Sequence, residues 1–140
     1  MKKNKRKLKI ILLIITFIIM ILIIYVIINP YCLSDKFVVK YISIRIPVGT
    51  NIEKVKSKIS DKKHWEIEKT ELKHGLMFTK TGYPLKSDYG FSNEYVGKKF
   101  IYVQLAEYNL PFNTIVFAFF VFDENDKLIR IVIDREVDAP

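Results

Sequence analysis

Thr114-Ile115-Val116-Phe117-Ala118-Phe119-Phe120-Val121-Phe122 is the stretch on which the fold of this 140-residue chain turns. Successive residues of a strand point to opposite faces. Ile115, Phe117, Phe119 and Val121 therefore share one face, and Val116, Ala118, Phe120 and Phe122 share the other. Both sets are apolar, so the segment reads as a central strand covered on both sides. Strand signals flank it at residues 100–107 and 128–136. Asn109-Leu110-Pro111 makes the first turn and Asp123-Glu124-Asn125-Asp126 the second, where Asn and Asp tolerate left-handed backbone. The connections are too short for crossover helices, so the sheet must be mainly antiparallel.

Upstream, Trp65 and Ile67 alternate with Glu66 and Glu68, which predicts a strand over 65–72. A turn at His74-Gly75 leads to a second over 76–80. Residues 81–99 hold Gly82, Pro84, Gly90 and Gly97 and read as a long loop. Earlier still, Ile52, Val55 and Ile59 make one helical stripe, with Lys54, Lys56 and Lys58 mostly off it. Thr50 and Glu53 have capping-box spacing, so a helix is predicted over 51–60. Residues 34–46 carry both periods. Phe37, Val38, Tyr41 and Ile42 fit a helix; Ile42, Ile44 and Ile46 fit a strand. The reading adopted is a short helix over 35–43 with an extended exit.

Residues 10–28 are apolar except for Thr16. As a helix they would measure about 28 Å, close to the hydrocarbon thickness of a bilayer. Asn29-Pro30 ends the run, and Tyr25 and Tyr31 suit an interface. No small-residue cleavage site follows, which favours an uncleaved anchor over a signal peptide. Six of the 23 basic residues lie in the tail ahead of it, which has no acids. Basic flanks stay cytoplasmic, so the C-terminal region is expected outside the cell membrane. The run has no charge and no glycine, so it reads as a tether and not a transport path. The expected organisation is a basic tail at 1–9, a transmembrane helix at 10–28, a linker at 29–34 and an extracytoplasmic domain at 35–140. The fold class is α+β, with one or two short helices packed on a mainly antiparallel sheet of about five strands.

Beyond the tail, 17 basic residues face 15 acidic ones. That near-balance argues against a nucleic-acid partner. The single cysteine, Cys32, cannot form an intrachain disulfide, and a modified or intermolecular thiol stays open. His64 and His74 sit in charged turns without metal-ligand spacing. No nucleophile elbow, phosphate loop or nucleotide fingerprint occurs. The sequence therefore implies no cofactor, metal or catalytic residue. Glu66/Glu68 and Asp134/Glu136 are acidic pairs at strand spacing; glycoside chemistry would need them opposed across a cleft.

The expected binding residues come from the sheet. One face should lie under the helices. The other is read as carrying Tyr102, Gln104, Tyr108, Phe120 and Arg130, an aromatic patch with one Arg that suits an interface core. The competing reading has the 81–99 loop folded across this face.

Ile46-Pro47-Val48-Gly49-Thr50-Asn51-Ile52-Glu53-Lys54-Val55, with Ile59 beyond, resembles the helix entry of small BamE-like (SmpA/OmlA) domains. Phe122-Asp123-Glu124-Asn125-Asp126-Lys127-Leu128-Ile129-Arg130-Ile131 is similar to their final hairpin. Residues 96–139 also resemble the C-terminal part of uncharacterised bacterial proteins, through Gly97, Tyr108, Val116, Phe122-Asp123, Leu128 and Val137-Asp138. Ser60 stands where that family has a glycine, and the lipidation signal of its outer-membrane members is missing. The resemblance implies a helix-plus-sheet domain used for protein contacts, with an envelope protein as partner beside the lipid bilayer. The functional expectation is a membrane-anchored binding or scaffold domain. The alternatives are an inhibitor or immunity-type protein at the outer face of the membrane, or an enzyme of cell-wall glycan.

Overall fold

The computed structural model describes residues 2–77, 95–109 and 112–138. The chain forms two compact units, Met1–Leu33 and Ser34–Pro140. The first is one helix, α1 (Lys2–Ile28), followed by a 3₁₀ turn, Pro30–Cys32. Its large apolar side chains from Ile10 to Ile24 are each 47–69% exposed, so within this unit they have nothing to pack against. Thr16, the one polar member, returns its hydroxyl to the carbonyl of Leu12 at 2.9 Å. Among the described residues no helix is long and apolar enough to cross a membrane. The reading of 10–28 as a membrane span thus rests on the sequence.

The second unit is α+β. It holds α2 (Asp35–Arg45), α3 (Ile52–Ser60) and strands β1 (Glu66–Glu71), β2 (Leu76–Met77), β3 (Tyr95–Val96), β4 (Lys99–Asn109), β5 (Asn113–Phe122) and β6 (Leu128–Asp138). Four strands make an antiparallel sheet in the order β1-β4-β5-β6, and β2 and β3 pair separately. The 114–122 stretch is an interior strand as expected. From Val116 to Phe122 every residue is buried, which only cover on both faces can achieve.

Two expectations about the upstream segments change. Residues 35–45 are helical throughout, with Val38, Ile42 and Ile46 buried at i, i+4, i+8 and Ile44 exposed. The alternation of isoleucines at 42, 44 and 46 was coincidental, because only two of the three point inward. The strand expected at 76–80 does not pair with β1. Leu76 and Met77 instead meet Val96 and Tyr95, so a strand lies inside the stretch read as loop. Residues 78–94, the rest of those two segments, lie outside the described residues. β1 pairs with β4, from Glu66↔Gln104 to Glu71↔Phe100.

The α3 cap also differs. The capping side chain is Asn51, whose Oδ1 accepts the N–H of Glu53 at 3.0 Å. The hydroxyl of Thr50 turns back to the carbonyl of Pro47 at 2.6 Å, closing the turn before the helix. An Asn two residues ahead of its target reaches that N–H as well as a Thr could, and the turn had already engaged Thr50.

This helix start is stitched to the far end of the chain. The N–H of Gly49 donates to the Leu128 carbonyl at 2.7 Å, that of Leu128 to Thr50 at 2.8 Å, and that of Ile52 to Asp126 at 2.9 Å. Asp126 is left-handed, at φ 61°. Asp123 Oδ1 takes the N–H groups of Asn125 and Lys127 at 2.9 and 2.8 Å, which fixes the hairpin loop.

Helices α2 and α3 cover one sheet face. Val38, Ile42 and Ile46 from α2 and Ile52, Val55 and Ile59 from α3 are all buried, as are Ile101, Val103, Val116, Ala118, Phe120 and Phe122 of the sheet. Each such side chain contributes about 2 kcal/mol of burial. Arg135 on β6 fastens the edge. Its Nε donates to Asp35 at 2.7 Å, and its terminal nitrogen to the hydroxyl of Tyr108 at 2.9 Å.

Candidate functional site

The sheet face away from the helices is built around one stacked ring. Tyr102 lies 4.8 Å from Phe117 and 4.4 Å from Phe119, at interplanar angles of 17° and 29°. Phe100 meets Phe119 edge-on at 5.5 Å. Pairs of this kind contribute about 1 kcal/mol each beyond their area. Leu76, Phe100, Phe119 and Val121 form a buried cluster, with Val96, Tyr102 and Val132 packed on it. One end of the face is thus covered by the β2–β3 pair.

Glu68, Lys69, Phe100, Tyr102, Phe117, Phe119 and Glu136 line a groove of about 340 Å³. Its floor is aromatic. Glu68 and Lys69 rise from β1 on one side and Glu136 from β6 on the other. The Lys69 ammonium sits 5.9 Å from the centroid of Phe100. Tyr102 offers its hydroxyl to Asp134 at 3.5 Å, the long limit for such a bond. The groove can bury apolar side chains while presenting carboxylates at both rims.

The five residues expected to share this face divide. Tyr102 and Gln104 lie on it, opposite Phe119 and Phe117. Arg130 lies on it too, opposite Val121. Phe120 does not: it is fully buried on the helix side, 6.3 Å from the Trp65 ring. Tyr108 is also on the helix side, opposite Thr114 and bonded to Arg135. The cause is a β-bulge in β4 between Gln104 and Ala106. Running the turn pairing Tyr108↔Thr114 down an unbulged ladder would set Tyr102 opposite Phe120. The extra residue sets it opposite Phe119, and every side chain on one side of the bulge changes face relative to the other.

Phe100, Phe117, Phe119, Glu68, Lys69 and Glu136 are the groove residues that sequence reasoning missed. Phe117 and Phe119 were correctly placed together by alternation, and only the register assigned them to the wrong side. A second bulge, at Val121/Phe122, brings Leu128 to the helix side with Ile131 and Ile133 and leaves Ile129 partly exposed.

Two other expectations can be placed. His74 lies in the turn after β1, its Nδ1 3.8 Å from Glu71. The Glu71 carboxyl is held below its usual value, chiefly by the backbone N–H of Lys73 at 3.0 Å and also by the charges of His74 and Lys69. Among the described residues no group of three or more His, Cys, Asp or Glu is arranged to hold a metal ion. The acidic pairs at 66/68 and 134/136 belong to strands at opposite edges of the sheet. Three strand spacings separate those backbones, about 14 Å, with aromatic rings between them. Glycosidase carboxyls work at about 5–10 Å across a polar cleft.

A scan against protein-family models and searches of the curated proteins and of the solved structures found no match to this chain.

Proposed function

We propose that this chain is a membrane-tethered extracytoplasmic binding domain whose sheet groove takes a segment of an envelope protein bearing a cation beside apolar side chains. The observation that carries the reading is the aromatic floor with Glu68 and Glu136 at its rims. An apolar floor supplies burial, and carboxylates at the rims select a basic neighbour and repel an acidic one. The exposed edge strand β1 argues for the face over the edge as the contact. It carries Glu66, Glu68, Lys69 and Glu71 and a bulge, the features that discourage pairing with a further strand.

The tether is residues 10–28 of α1. In support, the helix is unbroken from Lys2 to Ile28, its polar hydroxyl is satisfied internally, and its apolar side chains find no partner within their own unit. A bilayer would cover them. The basic tail orients the helix with its first residues in the cytoplasm. The order of two helices followed by an antiparallel sheet in residues 35–138 is compatible with the helix-plus-sheet contact domain that the resemblance implies.

The test is photo-crosslinking in intact cells expressing the full chain. A photoreactive residue at Glu68 should give a discrete adduct; the same residue at Glu124, on the hairpin loop, should not. Adding Glu136→Lys, which reverses the charge of the opposite rim, to the chain carrying the photoreactive residue at 68 should weaken the adduct. Equal adducts at 68 and 124, or one indifferent to Glu136→Lys, would defeat the proposal. Protease added outside should digest the region after residue 33; complete protection would overturn the topology.

A further inference from the structure

The ends of α2 and α3 meet over Trp65 at a second concavity, on the helix side of the sheet and apart from the groove. Arg45, Ile46, Lys58, Asp61, Lys62 and Trp65 line about 390 Å³. Three cations face it against one carboxylate. Lys56, also on α3, is by contrast held by Glu53 at 2.9 Å. Among the described residues, no ion pair joins Arg45, Lys58 or Lys62 to a carboxylate.

Helix dipoles explain only part of this. Cations near helix C-termini are favourable, and the Lys58 ammonium does donate to the carbonyl of Arg45. That bond uses one of three N–H donors. Arg45 is stacked over Tyr41 at 4.2 Å and spends one nitrogen on the Tyr41 carbonyl at 3.4 Å. A guanidinium has five donors in a fixed fork. The stack holds that fork in place before any ligand arrives, and Lys62 adds a further ammonium from the turn after α3. The wall behind them is apolar, formed by the buried side chains of Ile46 and Trp65.

We infer that this cleft is a binding site for a phosphate-class anion, with Arg45 as the bidentate contact and Lys58 and Lys62 as point charges. Forked Arg donors match phosphate oxygens in pairs, and ammonium groups neutralise the remaining charge. The anion can come from a soluble phosphate compound or from a lipid headgroup; the chemistry at the protein is the same.

Trp65 is the only tryptophan of the chain, so all tryptophan emission comes from a residue that lines this cleft. The full chain in neutral detergent micelles is titrated with pyrophosphate, and with sodium chloride at matched ionic strength. A parallel titration adds phosphatidylglycerol to the micelles, with phosphatidylcholine as control. Saturation by pyrophosphate supports a soluble ligand; saturation by phosphatidylglycerol alone supports a headgroup. In either case Arg45→Gln with Lys62→Gln should weaken the midpoint by about tenfold or more. Lys56→Gln, the same change on a paired lysine of α3, should leave it in place. Both mutated side chains of the double variant are exposed, and its unchanged urea midpoint would certify the fold. A response that chloride reproduces, that never saturates, or that survives the double substitution overturns the inference.

Discussion

Phe120 separates the observed register from the unbulged one most sharply. In an unbulged sheet its ring would share the groove face with Tyr102, and its loss would weaken binding while sparing the fold. In the observed register it is fully buried between sheet and helices, 6.3 Å from Trp65. Phe120→Ala then removes a core ring and leaves a cavity that neighbouring strands cannot close. Changes of this type cost about 3–5 kcal/mol. A unit of this size has a total stability of about 5–15 kcal/mol, so the substitution removes a large share of it. At about 4–8 °C per kcal/mol, the midpoint should fall by at least about 12 °C. Thermal unfolding of the full chain in detergent, followed by Trp65 emission, measures this directly, with Tyr102→Ala as the comparison. Tyr102 is only partly buried and should cost less. A Phe120→Ala midpoint within about 4 °C of the parent, or above that of Tyr102→Ala, would show that the bulge is misplaced.

Gly97 adopts φ 73°, and a Cβ there would sit 2.5 Å from Val121 Cγ1 and 2.6 Å from the Phe122 carbonyl. Gly97→Ala should therefore destabilise by more than the roughly 1 kcal/mol that left-handed backbone alone imposes, read as a loss in urea midpoint; a neutral result would refute the close approach. Asn51→Ala should cost about 1 kcal/mol and Thr50→Ala less, since Asn51 is the side chain that caps α3; the reverse order in urea unfolding would restore the Thr50 capping box. The Glu71 carboxyl should titrate below the ordinary glutamate range by NMR. Its folded value is depressed, so its contribution to stability is present above the unfolded pKa and lost as pH falls through the folded one. A midpoint at or above the ordinary value would contradict the Lys73 hydrogen bond.

Much of the architecture was legible because it depends on period and punctuation. The stripe Ile52, Val55, Ile59 marked α3, and unbroken apolarity over 114–122 marked an interior strand. Asp123 to Asp126 marked a hairpin that Asp126 does complete in left-handed backbone. The site was only partly legible because it depends on register. A bulge adds one residue without altering the local alternation of apolar and polar side chains, so nothing in 99–109 announces it. Leu105 and Ala106 were both compatible with either face, and that ambiguity decided where Tyr108 and Phe120 went. The anion cleft was illegible for a different reason. Arg45 and Lys62 lie 17 positions apart on separate elements, and only the packing of α2 beside α3 brings them to one concavity.

The backbone bonds that join residues 49–52 to 126–128 carry a consequence for the order of events in folding. They close a loop of about 75 residues, and closure of a long loop is entropically costly until the segments between have formed. The β4–β5 and β5–β6 hairpins are local and can form early. The first turn of α3, by contrast, has no partner for Ile52 N–H until Asp126 is in place. Side-chain substitutions at Asn51 should then change the unfolding rate and leave the folding rate nearly untouched, while those at Phe119 should slow folding. During synthesis the same dependence leaves the start of α3 unfinished until the β5–β6 hairpin loop has emerged, so a chain released before Asp126 would lack the seam between residues 49–52 and 126–128.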